Sequence, residues 1–216
     1  MKSSKSGKVN RAWLHEHLTD PYVRQAQKDG YRARAAYKLQ EIDAAFNLLR
    51  PGQVVVDLGS APGAWSQYVR RRLGPASAGD GAAVVALDVL PMEPIAGVQF
   101  LQGDIRAPEV LEALAQALQG RAVDVVLSDM APNLSGIATV DAARVEHLVE
   151  LALDFAVGHL QPKGVFVAKV FHGGSYDTLV RAFRQCFASV KPFKPKASRD
   201  RSAETFLVGT GPIPAG

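Results

Sequence analysis

The chain has one cysteine, Cys186, in 216 residues, so an internal disulfide is excluded. It lies in the amphipathic run RAFRQCFASV and is expected to act as a small buried hydrophobe. No apolar run reaches the roughly 18 residues that a membrane-spanning helix needs, so no membrane partner is expected. The opening MKSSKSGKVNRAW is basic but has no apolar core, which excludes a secretory signal. Together these absences point to the cytoplasm. Two nucleotide fingerprints are also missing. There is no G-x-G-x-x-G, which argues against a dehydrogenase, and no G-x-x-x-x-G-K-[ST] to cradle a triphosphate. No metal site is expected, because His15 and His17 are two apart and diverge on a helix.

Hydrophobic residues make up 47% of the chain, enough for one globular domain with a large core. The net charge of +4 is unevenly spread. Residues 1–38 hold nine Lys or Arg against three acids, a surplus of six, so the other 178 residues carry a net −2. A second basic cluster, KPFKPKASRDR, runs from Lys191 to Arg201. Two such clusters suit a polyanion, and nucleic acid in particular.

Apolar, β-branched segments alternate with amphipathic helical ones from Arg32 onward. Strands are expected at QVVVDLG, AAVVALDVL, VQFLQGDI, AVDVVLSD, GVFVAKVF and ETFLVGT. Helices fall between them, and GPASAGDG (residues 74–81) reads as a loop. This alternation predicts an α/β fold, a mostly parallel sheet with helices on both faces. The expected layout is a basic extension over 1–30, one catalytic domain over 31–210 and a flexible tail over 211–216.

In such sheets ligands lie beyond the carboxyl ends of the strands. The residues there are Asp57, Asp88, Asp104, Asp129 and Lys169. The turn Gly59-Ser60-Ala61-Pro62-Gly63 follows the first strand. Asp57 enters it as an anion that repels phosphate and suits a cation. Asp88 lies 25 residues after Gly63, near the spacing at which an acid accepts from ribose hydroxyls. Asp104 is placed to accept from an exocyclic amine. A ribose, a base and a positive centre together describe S-adenosylmethionine. Trp65 either packs on that cofactor or anchors the next helix.

The loop LSDMAPNLSG lacks the aromatic and second proline that clamp a flipped base, and Cys186 is badly placed as a nucleophile, so base methylation is disfavoured. The segments AAYKLQEID, VVDLGSAPGAWSQ, LDVLPM, GDI, SDMAPNLSG, FVAKVFHG and SRDRSAETFLVG, in that order, resemble the FtsJ-type ribosomal RNA 2′-O-ribose methyltransferases. The resemblance covers roughly Tyr31 to Gly209. It implies a single-domain, Rossmann-like class I methyltransferase fold with a seven-stranded sheet. It also implies a catalytic tetrad at Lys38, Asp129, Lys169 and Glu204, and cofactor contacts at Gly63, Trp65, Asp88, Asp104 and Asp129. The glycine turn adds Asp57 and Gly59. The implied substrate is a uridine of 23S RNA in the large (50S) ribosomal subunit, with no role for DNA and a monomeric enzyme. Two other readings stay open: the same chemistry on a tRNA or an mRNA cap, and a non-catalytic assembly factor, which loss of a tetrad residue would favour.

A ribose hydroxyl is a poor nucleophile and must lose or share its proton during attack. A neutral Lys169 would serve as base, whereas a protonated one would hold the developing alkoxide. A lysine within a strand of Val, Phe and Ala is itself unusual.

Overall fold

The computed structural model describes residues 20–74, 83–133, 135–199 and 201–214. The expected loop over 74–81 and most of the basic extension fall outside the described residues. Thirteen elements follow in chain order: α1 (Pro21–Lys28), α2 (Ala35–Phe46), β1 (Val54–Leu58), α3 (Ala64–Leu73), β2 (Ala83–Asp88), β3 (Val98–Gln102), α4 (Pro108–Leu118), β4 (Val123–Ser128), α5 (Ala138–His159), β5 (Leu160–Phe171), α6 (Tyr176–Cys186), β6 (Phe187–Phe193) and β7 (Glu204–Pro212).

The strands form one sheet in the order β3-β2-β1-β4-β5-β7-β6. Pairing is parallel from β3 through β5, and β7 runs antiparallel to both β5 and β6. Alternate residues of each strand feed opposite faces. Val54, Val56 and Leu58 of β1 join a core with α4, α5 and α6, through Leu114, Leu153 and Phe183. Val55 turns to the other face, where Leu39 and Ile42 of α2 and Trp65 and Val69 of α3 pack. The strand order reverses between β1 and β4, which opens a crevice at their carboxyl ends.

The α2–α3 layer is locked by one buried acid. Asp43, 3% exposed, accepts from Leu49 N, Tyr68 Oη and Arg72 Nε at 2.9, 2.8 and 2.8 Å. A buried carboxylate needs such donors to offset lost hydration.

Three expectations need correction. The seventh strand, β6, has no counterpart among the six segments read from sequence. Only Phe187 of it is buried, and it carries Lys191 and Pro192, so it has neither an alternating nor a continuous apolar pattern. Proline is tolerated because β6 lies at the sheet edge. The expected tail begins too early: β7 runs to Pro212, which pairs with Phe187, and Ile213 N donates to Cys186 O at 2.8 Å. Residues 20–30 belong to the folded body. The α1 rings and aliphatic groups pack on Tyr37 and Ala197, and Asp20 both caps α1 and pairs with Arg34. Among the described residues no helix is long and apolar enough to cross a membrane.

Candidate active site

The register of the parallel strands builds the site. Leu58 pairs with Leu87 and with Ser128, and Ser128 pairs with Ala168. The next residue on each strand therefore falls in one row: Asp88, Gly59, Asp129 and Lys169. Gly59 N donates to Leu87 O at 2.8 Å and Asp129 N to Leu58 O at 3.1 Å, so the ladder carries this alignment past the last formal strand residues. Lys169 pairs with Phe206 and Phe171 with Glu204, which sets Lys169 and Glu204 diagonally on one face of β5 and β7.

The glycine turn is packed against its surroundings. Gly59 has φ +76°, and an added Cβ would lie 2.8 Å from Met130. Gly63 has φ +108°, and a Cβ there would meet Ile95 at 2.8 Å and Met92 at 2.9 Å. Both positions need glycine for conformation, and Gly59, which faces the Met130 backbone, needs it for space as well. Arg32 ties this turn to the following loop. Its Nη1 donates to the carbonyls of Pro62 and Glu93, at 3.0 and 2.6 Å, and its Nη2 donates to Pro94 O at 2.9 Å.

A cavity of about 580 Å³ opens along the row. Gly59, Asp88, Asp104 and Asp129 line it, with Arg144 and His147 of α5 opposite. Asp88 accepts from Ala61 N and Leu90 N, both at 2.8 Å, one on each oxygen. Each oxygen keeps a lone pair, the arrangement a ribose diol requires. Beside it, Asp129 Oδ1 and Ser60 Oγ are buried without a hydrogen-bond partner. Ser60 Oγ has no partner and Asp129 Oδ1 has only the Lys169 ammonium 3.0 Å away, so a cationic amine or hydroxyl ligand would add the hydrogen bonds they lack. A nucleoside with a positive tail fits these donors and acceptors.

Asp104 also lines the cavity, but its carboxylate is taken. Arg106 donates to it from N, Nε and Nη2, at 3.0, 3.0 and 2.5 Å. The guanidinium holds Asp104 below the usual carboxylate range. A base amine reaching Asp104 must share or displace these donors.

Three predicted contacts do not line the cavity: Gly63, packed against Arg32, Ile95 and Met92, then Trp65 and Asp57. Trp65 is 2% exposed and does not line the cavity. Its Nε1 donates to Ala35 O at 2.8 Å and its ring lies 5.8 Å from that of Phe206. The side chain is the helix anchor, in the first turn of α3. Asp57 lies one layer below the row, with no exposure, and is likewise absent from the lining. Its Oδ2 accepts from Ser66 Oγ at 2.6 Å and its Oδ1 has no partner. Burial pushes its pKa up to about 7, the Ser66 hydroxyl pulls down, and Asp129 and Asp88 push up again. Asp57 thus supports the turn from beneath rather than facing a cation directly.

The four tetrad positions form two ion pairs. Lys169 is 8% exposed; its Nζ donates to Asp129 O at 2.7 Å and lies 3.0 Å from Asp129 Oδ1, off the line of a hydrogen bond. Lys38 Nζ sits 2.6 and 2.8 Å from the two oxygens of Glu204. Burial raises the Glu204 pKa, but Lys38, Ser198 and Lys169 together hold it below the ordinary value.

The two basic clusters meet around this second pair. Arg34 donates to Ala197 O, and Glu41 accepts from Lys196 N and Ala197 N at 2.5 and 2.9 Å. Sequence reasoning passed over Ser66, Arg106, Glu41 and Ser198. The helical spacing of Arg34, Lys38 and Glu41 was the one available signal, since it places all three on one face of α2.

The chain matches the FtsJ-like methyltransferase family over residues 31–212. Ribosomal RNA large subunit methyltransferase E of Paracidovorax citrulli is 64% identical over 212 residues, covering 97% of each chain. The protein of the same name from Acidovorax sp. is 65% identical over 215 residues, covering 96% of each. Among solved structures, a ribosomal RNA methyltransferase of Plasmodium falciparum superposes with a TM-score of 0.74 at 29% identity, across 86% of this chain and 100% of that one. Human methyltransferase-like protein 13, in complex with SAH, gives 0.57 at 15% identity, across 81% of this chain and 82% of that one, a likeness of fold.

The buried Asp57 has a consequence for stability. Its folded pKa lies above its ordinary value, so the fold favours the protonated form. This contribution is complete below the ordinary carboxylate range and is lost as pH rises towards about 7. Asp57→Asn removes the charge. In ligand-free protein the variant is expected to melt above wild type near about pH 8, with the advantage shrinking near about pH 5. An advantage that is equal at both pH values would contradict the burial account.

Proposed function

Because the chain belongs to the FtsJ-like methyltransferase family, we propose that it transfers a methyl group from S-adenosylmethionine to a uridine ribose 2′-hydroxyl of large-subunit ribosomal RNA. The observation that carries this reading is the pair of largely buried ion pairs, Lys169–Asp129 and Lys38–Glu204, the first of which reaches the nucleoside-sized cavity through Asp129. No nucleophilic thiol stands among them. They are suited to handling the proton of a hydroxyl, not to activating a base ring.

S-adenosylmethionine, when bound, supplies an electrophilic methyl group on a sulfonium and leaves as the neutral thioether. Asp88 takes the ribose hydroxyls of this cofactor and Asp104 its base amine, once Arg106 yields. Asp129 offers to the amino group its Oδ1, which accepts no hydrogen bond and has the Lys169 ammonium 3.0 Å away. Lys169 is held by the Asp129 carbonyl; with its ammonium proton first released to solvent, the neutral amine would take the proton of the 2′-hydroxyl as the new C–O bond forms and the methyl–sulfur bond breaks. Glu204 and Lys38 fix the opposite side of the acceptor ribose. In-line transfer depends on such positioning as much as on proton removal.

The polyanionic substrate is held by the joined basic clusters. Exposed Lys191, Lys194 and Lys196 lie beside the loop that leads to Glu204, and Arg34 donates to Ala197 O of the same loop. Distance from the transferring methyl group makes these contacts electrostatic and tolerant of sequence.

Two measurements check the reading. Lys169→Ala should slow single-turnover methylation at least about 100-fold while leaving cofactor binding intact. Lys169→Arg should stay slow, because arginine keeps the charge but does not act as a base. Near-wild-type turnover by the arginine variant would assign Lys169 a purely electrostatic role.

The second concerns RNA. Because α1 is docked on the body, the deletion must stop before it. Removing residues 1–19 takes away Lys2, Lys5, Lys8 and Arg11. RNA affinity should fall and its logarithmic salt slope flatten by about 0.7–0.9 per lost phosphate contact. An unchanged slope would make the segment a spectator.

A further inference from the structure

We propose that Ser198 is a positioning residue of the methyl-transfer site, orienting the Glu204 carboxylate that in turn holds Lys38 against the acceptor ribose. The inference rests on the functional reading above and adds to it a residue outside the tetrad.

Ser198 is 3% exposed, and its Oγ donates to Glu204 Oε1 at 2.8 Å. The same carboxylate receives Lys38 Nζ. Glu204 is thus held from two directions, by a cation and by a neutral hydroxyl. Removing the hydroxyl leaves one restraint, and the carboxylate can rotate with the lysine.

The segment that delivers Ser198 is itself built from α2. Arg34, Lys38 and Glu41 are spaced four and three residues apart on one helix face. Arg34 donates to the Ala197 carbonyl, Glu41 accepts from the Lys196 and Ala197 amides, and Ser198 N closes a turn onto Pro195 O at 3.0 Å. Lys38, between the two anchors, meets Glu204 directly. One helix face therefore holds Lys38 and, through residues 195–198, the hydroxyl that fixes its partner. A solvated basic loop needs no such grip: Pro195, Ala197 and Ser198 are buried while Lys194 and Lys196 stay exposed for RNA. This loop both carries cations outward and points one hydroxyl inward.

The test compares wild type with Ser198→Ala and Ser198→Thr by single-turnover methylation of large-subunit RNA over a range of pH, with calorimetry of S-adenosylhomocysteine binding as the control. The alanine variant should lose about 10- to 100-fold in kcat, with KM for RNA and product-analogue affinity nearly unchanged. Its acidic limb should move to higher pH, because the hydroxyl is one of the groups that keep Glu204 ionised. Threonine, which keeps the hydroxyl, should restore both. If alanine prevents folding, Ser198→Cys keeps the size with a weak donor and carries the same expectation. A wild-type enzyme that methylates RNA beside a folded alanine or cysteine variant with the same kcat and acidic limb would overturn the proposal. Wild-type protein that leaves the RNA unmethylated would instead overturn the functional reading beneath it.

Discussion

Everything at the site depends on the register of the parallel strands. Backbone hydrogen bonds between β2, β1, β4 and β5 align Asp88, Gly59, Asp129 and Lys169 across the carboxyl edge. A slip of one residue on any strand would turn its side chain to the opposite face. The valines and leucines of β1 and β4, interrupted by Asp57 in one and by Asp124 and Ser128 in the other, protect the register, since both faces of these strands are covered by helices. The chemistry is polar, but its geometry is set by valines and leucines beneath it.

The row also explains why charged groups can stand so close to the core. Asp88 is held by backbone amides, and Asp129 and Lys169 by each other. Lys38 and Glu204 approach from α2 and β7 and complete the set. Removing one partner from a buried pair leaves the other charge uncompensated, a cost of about 3–5 kcal/mol. The two pairs therefore restrain one another through the fold as well as through their fields. Asp57, with no cation acting on it among the described residues, is the exception, and burial raises its pKa to about 7.

Much of this was legible in the sequence, for a physical reason. A buried parallel strand reads as a continuous apolar run, so the polar residue at its end stands out. Asp88 and Asp129 were singled out this way and fall in the row; Lys169 stood out as a charge within an apolar strand, and Asp104 as the acid after a short one. The same signal misled at Asp57, because the run VVVDLG continues past the acid by one apolar residue. Asp57 is therefore inside the strand, and Gly59 occupies the row. Trp65 was ambiguous, since an indole after a glycine turn suits a ligand and a core equally. β6 was hidden by its edge position, where packing asks little of side chains and lysine and proline are allowed. Ser198 and Glu41 could not be read, because their partners lie on segments distant in sequence and the contacts exist only after folding.

The central claim is that this row and its two ion pairs deliver a methyl group to a ribose oxygen. The most direct check is to incubate the protein with S-adenosylmethionine and large ribosomal subunits that lack the modification. The RNA is then digested to nucleosides and resolved by mass spectrometry. The account predicts one new nucleoside, 2′-O-methyluridine, with the added mass on the ribose fragment. Added mass on the base fragment, or no methylation at all, would contradict it.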